Sequence, residues 1–220
     1  MNQLLIFDLD GTLIDSRNAI LSSIRFALKA SNLQYLEVDE DKAVQQDLAS
    51  SLVQAAKRRG EVLSSEKIDF FIRTYREHHS HNPFESMRPY EGVIEALEML
   101  KEKHQLAIAT TKHSEQARHI VRELKLEKYF SHIQGTDPGM RYKPAPDILH
   151  HTARVLKRDS REGVYFGDSP HDMEAAIAAE MRAIGVTYGF AGKKALEPVN
   201  PSGWLHHPLD LLKGVDCKFL

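Results

Sequence analysis

The chain has 220 residues, 42% of them hydrophobic, enough for one substantial core with or without a small appended domain, which excludes a disordered or fibrous protein. Lys and Arg number 29 against 31 Asp and Glu, a net charge of -2 with no block of like charge, so nucleic acid is not an expected partner. The single cysteine, Cys217, excludes an internal disulfide and a cysteine-built zinc site, and points to a reducing, cytoplasmic setting.

The N-terminal MNQLLIFDLDGT meets acidic residues after only four apolar ones, unlike a signal peptide, and no apolar run approaches the roughly 18 residues of a membrane helix. The first strand is expected at Leu4–Phe7 (LLIF). Residues 16 to about 82 hold no convincing strand and read as about three helices. Their apolar faces are Ile20, Ile24, Ala27 and Leu28; then Val44, Leu48, Leu52, Val53 and Ala56; then Ile68, Phe71, Ile72 and Tyr75. Asn82-Pro83 and Arg88-Pro89 punctuate the return to the sheet, since a residue before proline is pushed out of helical geometry. A helical stripe at Val93, Ala96, Leu97 and Leu100 precedes a strand at Leu106–Ala109 (LAIA). Further stripes at Ala117, Ile120, Val121 and Leu124, and at Ile148, Leu149, Thr152, Ala153 and Leu156, precede strands at Val164–Phe166 (VYF) and Ala183–Val186 (AIGV). The strand runs are unbroken rather than alternating, as parallel strands covered on both faces require. Residues 198–208 read as Pro/Gly-rich surface chain leading to a short helix around 208–212. The expected fold is α/β: a doubly wound parallel sheet with a Rossmann-like core, residues 1–14 and 84–220, carrying an inserted small α-helical cap, residues 15–83.

Polar residues follow the strands at the carboxyl edge of the sheet, where open α/β folds bind ligands. LLIF ends in Asp8, LAIA in Thr110, and VYF runs into Gly167 and Asp168. Within DLDGT, two-residue periodicity sends Asp8 and Asp10 to one side, and Gly11 permits a sharp turn. Asp168 adds a third carboxylate. Such a cluster repels itself without a cation or a proton, and an all-oxygen ligand set favours Mg2+ over zinc or copper. Thr110, Thr111 and Lys143 supply hydroxyls and a positive charge, the complement of a phosphoryl group.

FDLDGTLIDS (Phe7–Ser16) resembles the first motif of the haloacid dehalogenase-like hydrolase superfamily. LAIATTK (Leu106–Lys112), YKPAPDIL (Tyr142–Leu149) and GVYFGDSPHDMEAA (Gly163–Ala176) resemble its second, third and fourth motifs, in the family's order. The resemblance implies a Mg2+-dependent phosphatase. Asp8 is then the nucleophile that becomes an aspartyl phosphate, and Asp10 the acid that protonates the leaving alkoxide and later deprotonates water. Thr110, Thr111 and Lys143 would hold the phosphoryl oxygens. The metal would be bound by Asp8, the backbone carbonyl of Asp10, and Asp168, with Asp172 orienting Lys143 or a metal-bound water. Dehalogenases of the superfamily lack an acid at the Asp10 position, whereas phosphatases and phosphomutases carry one. Phosphonate-cleaving relatives use a cap lysine, and Lys29, Lys42, Lys57 and Lys67 sit in ordinary solvated helical contexts.

The helical insertion and RPYEGVIEAL (Arg88–Leu97) resemble the phosphoglycolate phosphatase-like branch, although Glu91 stands where many relatives have proline. The partner implied is a small phosphorylated metabolite, phosphoglycolate or a sugar phosphate, with neither membrane nor nucleic acid, bound by a monomer or homodimer whose cap opens and closes. The alternatives are a phosphomutase or pyrophosphatase of the same fold, or a partner-binding protein with residual activity. His78, His79 and His81 lack the carboxylate or cysteine spacing of a transition-metal site, so a solvated helix end is expected there. Lys57-Arg58-Arg59 reads as a favourable charge at a helix C-terminus, Trp204 as packing, and Gly135-Thr136-Asp137 as a loop entering the third motif.

Overall fold

Leu4–Phe7 is apolar at every position, so no orientation of the strand offers a polar face to water, and all four residues are buried. The computed structural model describes residues 3–45, 48–81 and 86–214, and within it this strand, β1, is central to a six-stranded sheet. The chain divides into two units, Met1–Asp15 with Arg88–Leu220, and Ser16–Met87. Cys217, Asn82-Pro83 and the expected boundary at 83/84 lie outside the described residues.

In the first unit β1 is followed by the short β2 (Ile14–Asp15), which pairs antiparallel with β3 (Arg88–Pro89). Then come β4 (Gln105–Ala109), β5 (His132–Gln134), β6 (Gly163–Gly167), β7 (Arg182–Val186) and β8 (Gly203–Leu205). The large sheet has the order β5-β4-β1-β6-β7-β8 and is parallel throughout. The sheet agrees with the expected α/β fold, and two of its strands are additions. β5 was not anticipated, and β8 lies inside the stretch read as surface chain. Alternate residues of the strands fill opposite faces. Leu4, Ile6, Ala107, Ala109, Tyr165 and Ala183 pack in one buried cluster with Ile148, Leu149, Met173 and Ala176, and Trp204 packs against it. Phe7 and Phe166 stack with ring centroids 4.8 Å apart among the buried residues of the alternate register.

The second unit consists of helices α1 (Arg17–Ala30), α2 (Glu40–Gln45), α3 (Leu48–Arg58) and α4 (Ser65–His81), one more than expected. The α1 face Ile20, Ile24, Ala27 and Leu28 is buried, and α1 packs on α4. On α3 the buried face is Ser51, Leu52, Ala55 and Ala56, and Val53, assigned to that face from spacing, is 42% exposed. Being next to Leu52, it lies about 100° around the helix from it. His79 also departs from expectation: it is buried, stacks on Tyr75, and brings Nδ1 to 3.3 Å from the Ser23 hydroxyl. His78 stacks on Phe26 beside it, so these imidazoles are α4 packing groups rather than a solvated end.

The remaining helices of the first unit are α5 (Val93–Leu100), α6 (Ser114–Glu123), α7 (Asp147–Val155), α8 (Pro170–Ala178), α9 (Lys193–Leu196) and α10 (Asp210–Gly214). No helix among the described residues is long and apolar enough to cross a membrane.

Candidate active site

Three neighbouring strands, β4, β1 and β6, deliver their terminal residues to one edge of the sheet. The Asp8 N–H donates to the Phe166 carbonyl at 2.8 Å, which extends the β1–β6 ladder by one residue and fixes where the carboxylate leaves the strand. The Thr110 N–H does the same from β4 to the Gln134 carbonyl at 3.0 Å. After β6, Ser169 caps α8 by accepting from the Asp172 N–H, and the Asp172 carboxylate answers by accepting from the Ser169 N–H at 3.0 Å. That reciprocal box sets Asp172 one helical turn beyond Asp168 and turns it inward, 1% exposed.

Lys143 comes from the segment before α7, and its Nζ donates to Asp8 Oδ1 at 2.9 Å, to the Tyr165 hydroxyl at 2.9 Å, and to Asp172 Oδ1. The Tyr165 hydroxyl also lies 2.8 Å from the Ala109 carbonyl, to which it donates. Tyr165 is the group the sequence reading missed. It counts as an apolar strand residue in VYF, but strand alternation places it on the Asp8 side of β6's neighbour Leu4–Phe7 as a partner of Ile6. The Asp168 carboxylate accepts from the Phe190 N–H at 2.6 Å. Gly11, with φ +74°, and Gly189 lie so close to Asp168 that a Cβ on either would overlap its side chain. The backbone therefore wraps this carboxylate on two sides.

Burial dominates the electrostatics. It pushes the Asp8 carboxyl up to about 7, with Lys143 opposing and Asp172 and Asp10 adding to the rise. Asp168 is raised well above the usual carboxylate range by burial, then by Asp172 and Asp8. Burial works against the charge of Lys143, yet Asp172 and Asp8 more than reverse it and hold the ammonium charged. For Asp172, burial is outweighed by the Lys143 charge and hydrogen bond, and its carboxyl is lowered.

Among the described residues, the one cluster of three His, Cys, Asp or Glu side chains able to share a cation is Asp8, Asp168 and Asp172. Asp172 already gives one oxygen to Lys143 and the other to Ser169. Asp8 and Asp168 are thus the side chains left to face a cation, and burial, with the neighbouring acids adding to it, disfavours their charged forms when no cation is bound. A hard, oxygen-seeking divalent ion fits that donor set.

The structure brings Asp8, Lys143, Asp168 and Asp172 into direct contact or close neighbourhood. Asp10 stands beside them, its carboxylate 3.2 Å from the Lys112 ammonium. Thr110 is buried at the end of β4, with the Lys112 N–H 3.4 Å from its hydroxyl. Thr111 is exposed, outside the buried cluster, and Lys29, Lys42, Lys57 and Lys67 are exposed on their helices.

Residues 5–186 match the model of the haloacid dehalogenase-like hydrolase family. A phosphoglycolate phosphatase of Mesorhizobium japonicum is 30% identical over 206 residues, 93% of this chain and 90% of the relative. The pyrophosphatase PpaX of Halalkalibacterium halodurans is 30% identical over 97% of this chain and 96% of its own length. A solved haloacid dehalogenase-like family hydrolase from Streptococcus pneumoniae superposes with a TM-score of 0.86 at 24% identity, covering 96% of this chain and 97% of that one. The chain belongs to the haloacid dehalogenase-like hydrolase family.

Proposed function

From that membership we propose a Mg2+-dependent phosphatase that hydrolyses a small phosphorylated metabolite through a phosphoaspartate on Asp8. The observation that carries the reading is the Asp8 carboxylate, buried yet held by the Lys143 ammonium at 2.9 Å at the end of the central strand. A buried carboxylate fixed on one side by a cation is a positioned nucleophile.

In the first step an Asp8 oxygen forms a bond to phosphorus and the bond from phosphorus to the leaving oxygen breaks. Asp10 delivers a proton to that oxygen. In the second step water attacks phosphorus, its proton passes to Asp10, and the bond from Asp8 to phosphorus breaks, releasing inorganic phosphate and the free carboxylate. Lys143 stays bonded to Asp8 and Asp172 throughout and offers positive charge to the phosphoryl oxygens, with the buried Thr110 hydroxyl as a second donor. Mg2+, held by Asp8, Asp168 and the Asp10 carbonyl, would supply Lewis-acid stabilisation of phosphoryl charge.

Phosphoglycolate and pyrophosphate are the substrates to place first, since the relatives above are named for them, and sugar phosphates come next. Both of the first two release an anion, glycolate or phosphate. The test is phosphate release from these compounds, nucleotides and sugar phosphates, with Mg2+ and then with EDTA. Mg2+-dependent release that favours one compound is the expected result. Isomerised sugar phosphate without free phosphate would replace this reading with a phosphomutase, and inertness towards every compound would favour a partner-binding protein.

A further inference from the structure

The reaction above assigns no role to Lys112. Lys112 Nζ lies 3.2 Å from Asp10 Oδ2, with the two side chains only 10% and 17% exposed. A lysine in a strand-end loop ordinarily carries its charge into water on a flexible stem. This one is anchored from its backbone outward. The Thr136 N–H donates to the Lys112 carbonyl at 2.8 Å, the Lys112 N–H is 3.4 Å from the Thr110 hydroxyl, and Gly135 lies so close to that carbonyl that a Cβ would overlap it. The end of β5 therefore clamps the loop that presents Lys112, and the ammonium is held largely out of water, where a charge acts more strongly on its neighbours.

We propose that Lys112 is a specificity residue that selects substrates whose leaving group is itself an anion. The inference rests on the phosphatase reading, in which Asp10 meets the leaving oxygen. A donor within hydrogen-bond reach of Asp10 Oδ2 is then within about 6 Å of that oxygen. A carboxylate or phosphate oxygen two or three bonds beyond the leaving oxygen falls inside the reach of the Lys112 ammonium, a donor group suited to an anion. A neutral leaving group of the same size offers it no counter-charge. The shared chemistry is a carboxylate or phosphate anion close to the scissile bond.

The test compares kcat/KM for matched pairs: phosphoglycolate against 2-hydroxyethyl phosphate, and pyrophosphate against methyl phosphate, in the wild type, Lys112→Met and Lys112→Arg. The wild type is expected to prefer the charged member of at least one pair, and the pair affected says whether the anion read is a carboxylate or a phosphate. Lys112→Met is expected to lower the charged-to-neutral ratio by about tenfold or more, the loss of one charge-assisted hydrogen bond. Lys112→Arg is expected to restore part of it. A residue acting only through Asp10 would lower both members of a pair by the same factor, and that outcome overturns the proposal while leaving the phosphatase intact. A wild type with no preference in either pair overturns it without any variant, even if Lys112→Met does not fold. Release from none of the esters by the wild type overturns the phosphatase reading and this inference with it.

Discussion

Lys143 Nζ donates to Asp8 Oδ1 at 2.9 Å although 135 residues separate the two in sequence. The same ammonium serves Asp172 and Tyr165, so a single side chain, 3% exposed, is the counter-charge for the interior end of the site. Burial of the acids around this one cation sets the electrostatics of the site.

Replacing Lys143 by Met leaves Asp8 and Asp172 buried without their cation. Removing one partner of such a pair costs about 3–5 kcal/mol. Urea unfolding in EDTA is expected to show a loss of that order, and a variant within experimental error of the wild type would mean that the contact contributes nothing to the fold.

Asp8→Asn keeps the shape of the side chain and removes its nucleophilicity. Turnover is expected to fall at least about a thousandfold, with no phosphate-labelled protein in rapid acid quench. The metal-free unfolding midpoint at alkaline pH is expected to hold steady or rise, since a crowded negative charge has been removed. Ordinary turnover by this variant would end the covalent mechanism.

The metal-free protein is expected to lose stability as pH rises. Asp8 is raised from 3.8 to about 7 in the folded chain, so across that window the folded state holds a proton that the unfolded state gives up. More protons on the folded side mean that stability is fullest below the unfolded pKa and is lost as pH climbs through the folded one. Asp168, raised in the same direction, adds to the loss. Thermal midpoints in EDTA from about pH 5 to about pH 8, taken as the wild type minus Asp8→Asn, should fall with pH. Added Mg2+ should raise the wild-type midpoint most at the alkaline end. A difference that stays flat across the series would contradict the buried-carboxyl account.

Tyr165→Phe removes the hydroxyl that lies between Lys143 and the Ala109 carbonyl. Leaving that buried carbonyl and one ammonium donor with poorer partners should cost about 1–3 kcal/mol in unfolding experiments. A fall in kcat with little change in KM would identify the hydroxyl as the support that aims Lys143, and unchanged kcat would confine it to packing.

The parallel core was legible because LLIF, LAIA, VYF and AIGV are self-evident as strands buried on both faces. β5 and β8 were not. HIQ and GWL are three-residue segments whose strand character comes from pairing with β4 and β7, which no local pattern records. The acids at the strand ends could be read from position alone. Tyr165 and Lys112 could not, since one is hidden in an apolar run and the other is an ordinary charged loop residue until Asp10 is placed beside it. The signal for Tyr165 is its pairing with Ile6, which the strand register supplies and the sequence does not. Val53 shows the opposite failure: spacing offered a wider apolar stripe on α3 than the helix buries.

The strand order has a consequence for how the protein is made. β1 is synthesised before the other strands, but Leu4 pairs with Gln105 on one side and Gly163 on the other, so Asp8 leaves the ribosome long before either wall of its site exists. The helices of Ser16–Met87, which form a unit of their own, can assemble in the interval. Closure of the centre waits for β6 and Asp168, and an interrupted translation product carries Asp8 without the chemistry that would make it a hydrolase.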